Sequence, residues 1–228
     1  MIGVLAVILI PQIAILLTGL IYPAIQHHDP DGSFLYLSIH HLFQLLLTIL
    51  AMMALSKRTN LKDWGFNLRN FKESWKWIGL FLLVFLAIEF FRIRGNLPIE
   101  SEYSLTTKNK LGIQFFQYLL SGLGEEPLFR GLIMVYLARN WNRVFSLGKV
   151  QVPITVLIAM LLFMLAHLDF DLTQMTVSGF DFDQQMKALQ MGLLYGLAFF
   201  YTKSLLAPIV IHGLSNGIQF TLMYHVLS

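Results

Sequence analysis

The fold class the sequence predicts is an all-α polytopic membrane protein, with about seven transmembrane helices around an intramembrane active-site cavity. Three observations predict it. The 228 residues are 56% hydrophobic and only 13% charged, where soluble domains run at about 45–50% and about 25%. Apolar stretches of roughly 20 residues, the length that crosses a bilayer, recur along the chain. Inside one of them stand two adjacent glutamates, Glu125 and Glu126. A charge at membrane depth costs at least about 2.5 kcal/mol, so it is expected to be paired, turned inward and functional.

The elements follow in order. The stretch 2–22 lacks the basic flank and small-residue cleavage site of a signal peptide and is expected to be a span. The stretch 34–55 carries His40 and His41, read as packing or interfacial residues. The stretch 74–91 follows a segment, Lys62 to Trp77, that mixes aromatic and basic residues as in a segment lying at the headgroups. The fourth, 111–138, holds both glutamates. Its run Ser121-Gly122-Leu123-Gly124 leads to Pro127, a residue suited to a first helical turn, and predicts a kink or fresh helix start near 122–127. Free N–H groups would then point near the glutamates. The stretches 152–168, 185–201 and 205–226 complete the set. Without an internal repeat or a soluble domain, residues 1–228 read as a single transmembrane domain with a motif core at 111–226.

Charge placement gives an expected orientation. Lys57, Arg58, Lys62, Arg69 and Lys72 lie between the second and third stretches, and Arg139, Arg143 and Lys149 between the fourth and fifth. Positive loops are cytoplasmic, which puts the acidic segment 169–185 outside. The loop from Arg92 to Lys110, basic yet expected outside, fits this poorly. The basic clusters, within a net charge of +3, read as topology signals facing the lipid bilayer and not as a nucleic-acid site. A multi-pass protein of the cell membrane is expected. The chain has no cysteine, which excludes disulfides, cysteine-ligated zinc and a cysteine nucleophile. HExxH does not occur.

The polar residues within the stretches carry the chemistry. Glu126 and Arg130 are four apart, on one helix face, and are expected to pair. Glu125 is rotated about 100° from Glu126 and left free to act. A buried Glu–Arg pair joining two helices would explain Glu126 and Arg130 but not Glu125. His167 ends the fifth stretch, and alone would read as a satisfied core histidine. His212 and Asn216 share a face of the seventh, where Asn216 alone would read as interhelical glue. Taken together, these side chains must converge or stay unsatisfied.

The pattern EExxxR at Glu125, Glu126 and Arg130, FxxxH from Phe163 to His167 and HxxxN from His212 to Asn216 resembles the CPBP family, the CAAX-processing and bacteriocin-processing (Abi) intramembrane proteases related to Rce1-type prenyl endopeptidases. The resemblance runs from about Gly124 to Gly217, including the lead-in from Gly192 through Lys203 to Pro208. It implies an intramembrane endopeptidase acting on CAAX-like prenylated, leader or membrane peptides. In its terms Glu125 and His167 activate a water, His212 and Asn216 stabilise the oxyanion, and Glu126 and Arg130 support the site. Relatives are often labelled metalloproteases. A divalent metal such as zinc on Glu125, His167 and His212 is one expectation, and metal-free glutamate/histidine chemistry is the other. Two further classes use the same residues: a proton- or cation-coupled transporter, and a catalytically silent self-immunity protein that holds a peptide. The transporter is disfavoured by a single broken helix and no repeated halves.

Overall fold

The computed structural model describes residues 2–56, 60–94, 103–104, 106–171 and 176–227. Each predicted stretch falls on a helix. These are α1 (Ile2–Ile25), α2 (Leu35–Leu55), α3 (Phe71–Arg94), α4 (107–138), α5 (Ile154–Leu165), α6 (Phe182–Thr202) and α7 (Leu206–Leu227). Among the described residues, Leu5–His28 and Leu35–Leu55 are both long and apolar enough to cross a membrane. Large apolar side chains stand on the outside of the helices, with Leu20 79% and Leu83 72% exposed. Such faces need an apolar solvent, and helices need nothing from it for their backbones.

The structure departs from a purely helical chain at two connections. Val144–Leu147 (β1) pairs antiparallel with Val150–Pro153 (β2), turning at Gly148 with φ 61°. Asp169–Asp171 (β3) pairs antiparallel with Thr176–Gly179 (β4). The first hairpin is rich in β-branched and aromatic residues, Val144, Phe145, Val150 and Val152, which suit an extended chain. It also takes residues 152–153 out of the fifth stretch, so α5 has only 12 residues. Of the acidic segment after His167, residues 172–175 lie outside the described residues.

The expected break at 122–127 does not occur. From Thr107 to Ala138 the chain stays helical, and Pro127 keeps φ −58° and ψ −39°. Two wide π-helical stretches, Phe116–Leu120 and Pro127–Met134, flank the segment Ser121–Glu126. Proline has no N–H to give and crowds the carbonyl four residues earlier. The helix nevertheless continues, with a widened stretch that begins at Pro127; such turns recur at functional sites. The glycines serve close packing instead of a turn. A Cβ at Gly122 would stand 2.5 Å from the Ile209 carbonyl oxygen, and one at Gly213 would collide with the Tyr118 carbonyl. Bare backbone on each side lets α4 and α7 touch, as small residues do between membrane helices.

The start of α7 is pinned from outside. Lys203 turns the chain in the left-handed region, φ 53°. Asn67 Nδ2 donates to the Lys203 carbonyl at 3.1 Å, Asn70 Nδ2 to that of Thr202 at 3.1 Å, and Leu205 N to that of Gly65 at 2.9 Å. The segment read as lying at the headgroups therefore docks in part on protein. Trp64 is 1% exposed, donates from Nε1 to Ser56 Oγ at 2.6 Å and lies under the Arg139 guanidinium. Trp75, a turn into α3, stays exposed. The inner faces of α1 to α7 meet in one apolar core that includes Met52, Phe81, Leu128, Ile133, Phe163, Tyr195 and Ile211.

Candidate active site

The two glutamates leave α4 in different directions. Glu126 is fully buried between Arg130 and His212. Arg130 Nε lies 3.2 Å from Glu126 Oε2, and Nη1 donates to Oε1 at 3.3 Å. The i,i+4 spacing on one face produces this pair. The guanidinium is itself buried; Nη2 donates to the Gly192 carbonyl at 3.1 Å, and the Phe163 and Tyr195 rings stand 4.6 and 5.3 Å from it. His212 Nδ1 meets Glu126 Oε1 at 2.8 Å. Because Arg130 keeps Glu126 a carboxylate, His212 must donate from Nδ1–H there, and its Nε2 is left for other work. Tyr195 stacks on the His212 ring at 4.9 Å and 19°, and its hydroxyl meets Ser215 Oγ at 2.7 Å.

Glu125 points to α2. Its Oε1 lies 3.1 Å from His41 Nε2, while Oε2 is buried with no hydrogen-bond partner among the described residues. His41 Nδ1 is 2.8 Å from the Leu37 carbonyl, which can only accept. His41 therefore carries a proton on Nδ1, and the contact to Glu125 holds one further proton between ring and carboxyl. The two residues read as independent in the sequence are a hydrogen-bonded pair 84 positions apart.

His167 lies one residue beyond the α5 C-cap, Ala166. Its Nδ1 donates to the Phe163 carbonyl at 2.8 Å, fixing the tautomer that leaves Nε2 as an acceptor in the neutral ring. Gln185 Nε2 of α6 donates to the His167 carbonyl at 2.8 Å and ties this turn to the next helix. Phe163, four residues earlier, packs edge-on to Phe129 and on the His167 ring.

A cavity of about 270 Å³ brings these groups together. Glu125, His167, Tyr195, His212 and Asn216 line it, with Gln117, Gln184 and Lys187 among its other polar walls. Four of the predicted residues thus share one space, while Glu126 and Arg130 stand behind the wall. His167 and His212 share it although one ends its stretch and the other lies near the start of its own.

The metal expectation fares differently. Among the described residues no three His, Asp or Glu side chains are placed to hold one ion. Glu125 Oε1 faces His41, and His212 Nδ1 faces Glu126. Those contacts take one oxygen of Glu125 and one nitrogen of His212, while a zinc site needs three donors near 2 Å from one ion, a grouping not found among the described residues.

Sequence reasoning missed two residues of the site. From the sequence His41 reads as packing or interfacial, with cavity lining the lesser alternative; the available signal is an imidazole inside an apolar helix, which must find a polar partner. Tyr195 lay in the recognised lead-in but was given no role; a buried tyrosine hydroxyl also requires a partner.

Residues 107–218 match the family of type II CAAX prenyl endopeptidase Rce1-like proteins. All three motifs and the whole glutamate-bearing helix, 107–138, lie within that range. A stretch of 116 residues is 31% identical to the membrane-embedded CAAX protease MroQ of Staphylococcus aureus strain USA300. It covers 50% of this chain and 39% of that relative. No solved structure matches.

Proposed function

For a chain that belongs to the CPBP family of Rce1-type proteins, we propose an intramembrane endopeptidase that hydrolyses a peptide bond with a glutamate-activated water. The observation that carries the reading is the convergence of Glu125, His167, His212 and Asn216 on one cavity, with Glu125 Oε2 left without a hydrogen-bond partner among the described residues. A buried carboxylate with one oxygen held and the other free is suited to take a proton from water.

The chemistry follows from the donor and acceptor roles. Water sits between Glu125 Oε2 and His167 Nε2, both acceptors, and loses a proton to Glu125 as its oxygen attacks the scissile carbonyl. The carbonyl π pair moves to the oxygen. The Asn216 amide donates to that oxyanion, and His212 donates from Nε2 when its ring carries both protons, with Nδ1–H held by Glu126. Such donors act in a water-poor site where each is worth about 10²–10³ in rate. The proton on Glu125 then passes to the departing amine as the C–N bond breaks, leaving a carboxylic acid and a free amine. Glu126 and Arg130 fix the His212 ring without touching substrate. No step needs a metal, and none is routed through one.

The substrate class is a peptide presented from the bilayer, with CAAX-like prenylated, leader or membrane peptides as the chemistry to try; the Staphylococcus aureus relative is a CAAX protease by name. The chain would act as a multi-pass protein of the membrane. The test is purified wild type beside Glu125→Ala in detergent, given a quenched lipidated-peptide library with and without a strong chelator. Cleavage by wild type alone supports the reading, and cleavage that survives the chelator supports the metal-free route. A folded wild type that cuts nothing sinks it; proton or cation flux in liposomes would then separate a transporter from a silent peptide-binding protein.

A further inference from the structure

The histidine on α2 lies outside the segment 107–218 that matches the family, and none of the three motifs includes it. We propose that His41 is a positioning residue for Glu125: it grips Oε1 and leaves Oε2 as the oxygen free to react. This rests on Glu125 being the base.

Three features show a built contact. The His41 ring cannot turn freely, because Nδ1 is anchored on the Leu37 carbonyl at 2.8 Å and the Phe116 ring stands edge-on at 4.9 Å. That anchoring aims Nε2 along one direction, and Glu125 Oε1 lies there at 3.1 Å. Second, α4 makes room for the ring. Gly124 has no side chain, and a Cβ at that position would come within 2.6 Å of His41 Cβ and Cδ2. The glycine just before the glutamate pair is therefore the seat of the imidazole. Third, α2 touches the same spot again one turn later, where Gln44 Nε2 donates to the Gly124 carbonyl at 3.0 Å. Residues 124 and 125 are thus held from α2 by a side-chain clamp on the carboxylate and a second bond on the backbone.

A glutamate has three side-chain torsions, and a single-oxygen grip removes most of their freedom at the reacting atom. Misplacing a reacting group by about 1 Å can cost about 10²-fold in rate. The His40 ring, edge-on to His41 at 5.2 Å, is the other titratable group on that side.

The experiment compares His41→Phe and His41→Gln with wild type in the peptide-cleavage assay, with kcat and KM measured separately and the thermal midpoint recorded for each. Phenylalanine keeps the bulk and removes the donor. Glutamine replaces Nε2 with an amide nitrogen at similar reach. The expected result is a kcat at least about 10-fold lower for the Phe variant at unchanged KM, with most of that loss restored by Gln at a midpoint equal to that of the Phe variant. Gly124→Ala, which evicts the ring, should lose kcat as His41→Phe does. Wild-type kcat in the Phe variant overturns the proposal, as does an equal loss in Phe and Gln that follows the midpoint. A wild type that cleaves no peptide overturns the glutamate-base reading and the clamp with it, and is told apart because it fails before any His41 variant is compared.

Discussion

Glu125 and Glu126 are the same residue one position apart, and the protein treats them oppositely. The Glu126 side chain is wholly buried and closed by Arg130 and His212: Oε1 accepts from both, Oε2 lies 3.2 Å from the Arg130 Nε, and its charge is compensated. The Glu125 side chain is 18% exposed and lines the cavity, held at one oxygen by His41 and with no hydrogen-bond partner at the other among the described residues. The difference comes from the turn of the helix alone: 100° of rotation sends one carboxylate to α7 and its own next turn, the other to α2. An enzyme needs both kinds. A compensated charge keeps neighbouring groups in place at the cost of chemistry; an under-satisfied one reacts at the cost of stability.

The largest expected effect falls on the closed side. Arg130→Ala leaves Glu126 buried with only His212 beside it, and should cost about 3–5 kcal/mol. The thermal midpoint in detergent reads it, and a midpoint equal to wild type would show that the pair carries no charge compensation.

On the open side the effect should appear in rate and not in stability. Asn216 lines the cavity and has no part in the Glu126 cluster. Asn216→Ala should lower kcat by about 10²–10³ while leaving the midpoint in place. A loss confined to KM would move Asn216 from oxyanion donor to substrate holder.

A third buried carboxylate sharpens the comparison with the smallest effect. Asp29, between α1 and α2, is closed by donors instead of cations. It accepts from Ser33 N at 3.0 Å, Ser33 Oγ at 3.0 Å, Phe34 N at 2.9 Å and Leu35 N at 2.6 Å. Burial pushes its pKa up, but these four bonds outweigh burial and hold the carboxyl below its usual range. Its contribution is therefore full above the ordinary carboxylate pKa and is lost as pH falls through the lowered folded value. Asp29→Asn should cost about 1.5–3 kcal/mol at neutral pH, the worth of hydrogen bonds to a charged group. The variant should also flatten the acid side of the midpoint-against-pH curve; an unchanged acid slope would place that stability elsewhere.

Much of this was legible in the sequence, for reasons that can be given residue by residue. The helices announce themselves as apolar runs because lipid-facing and core-facing residues are both apolar. The Glu126–Arg130 pair follows from spacing on one helix, and the Glu125–Glu126 divergence from the helical turn. What could not be read depends on distant or compensating contacts. The His41–Glu125 contact joins α2 to α4 through a ring whose seat is a missing side chain at Gly124. His212 was assigned to the oxyanion, and nothing in its neighbours along the chain says that its Nδ1 ends on Glu126. The helix break expected near Pro127 was a sound local inference, yet the helix runs on through the proline into a wide π stretch. Trp64, placed at the headgroups for its basic neighbours, is drawn inward by Ser56 and Arg139.

The division of labour between the two glutamates is tested most directly by Glu125→Gln and Glu126→Gln, each measured for peptide cleavage and thermal midpoint under the same conditions. The account predicts that Glu125→Gln loses cleavage by about 10²–10⁴-fold with little change in midpoint. It predicts that Glu126→Gln lowers the midpoint, because Arg130 is left as an unpaired buried charge. Full cleavage by Glu125→Gln would contradict it, and so would a Glu126→Gln variant as stable as wild type.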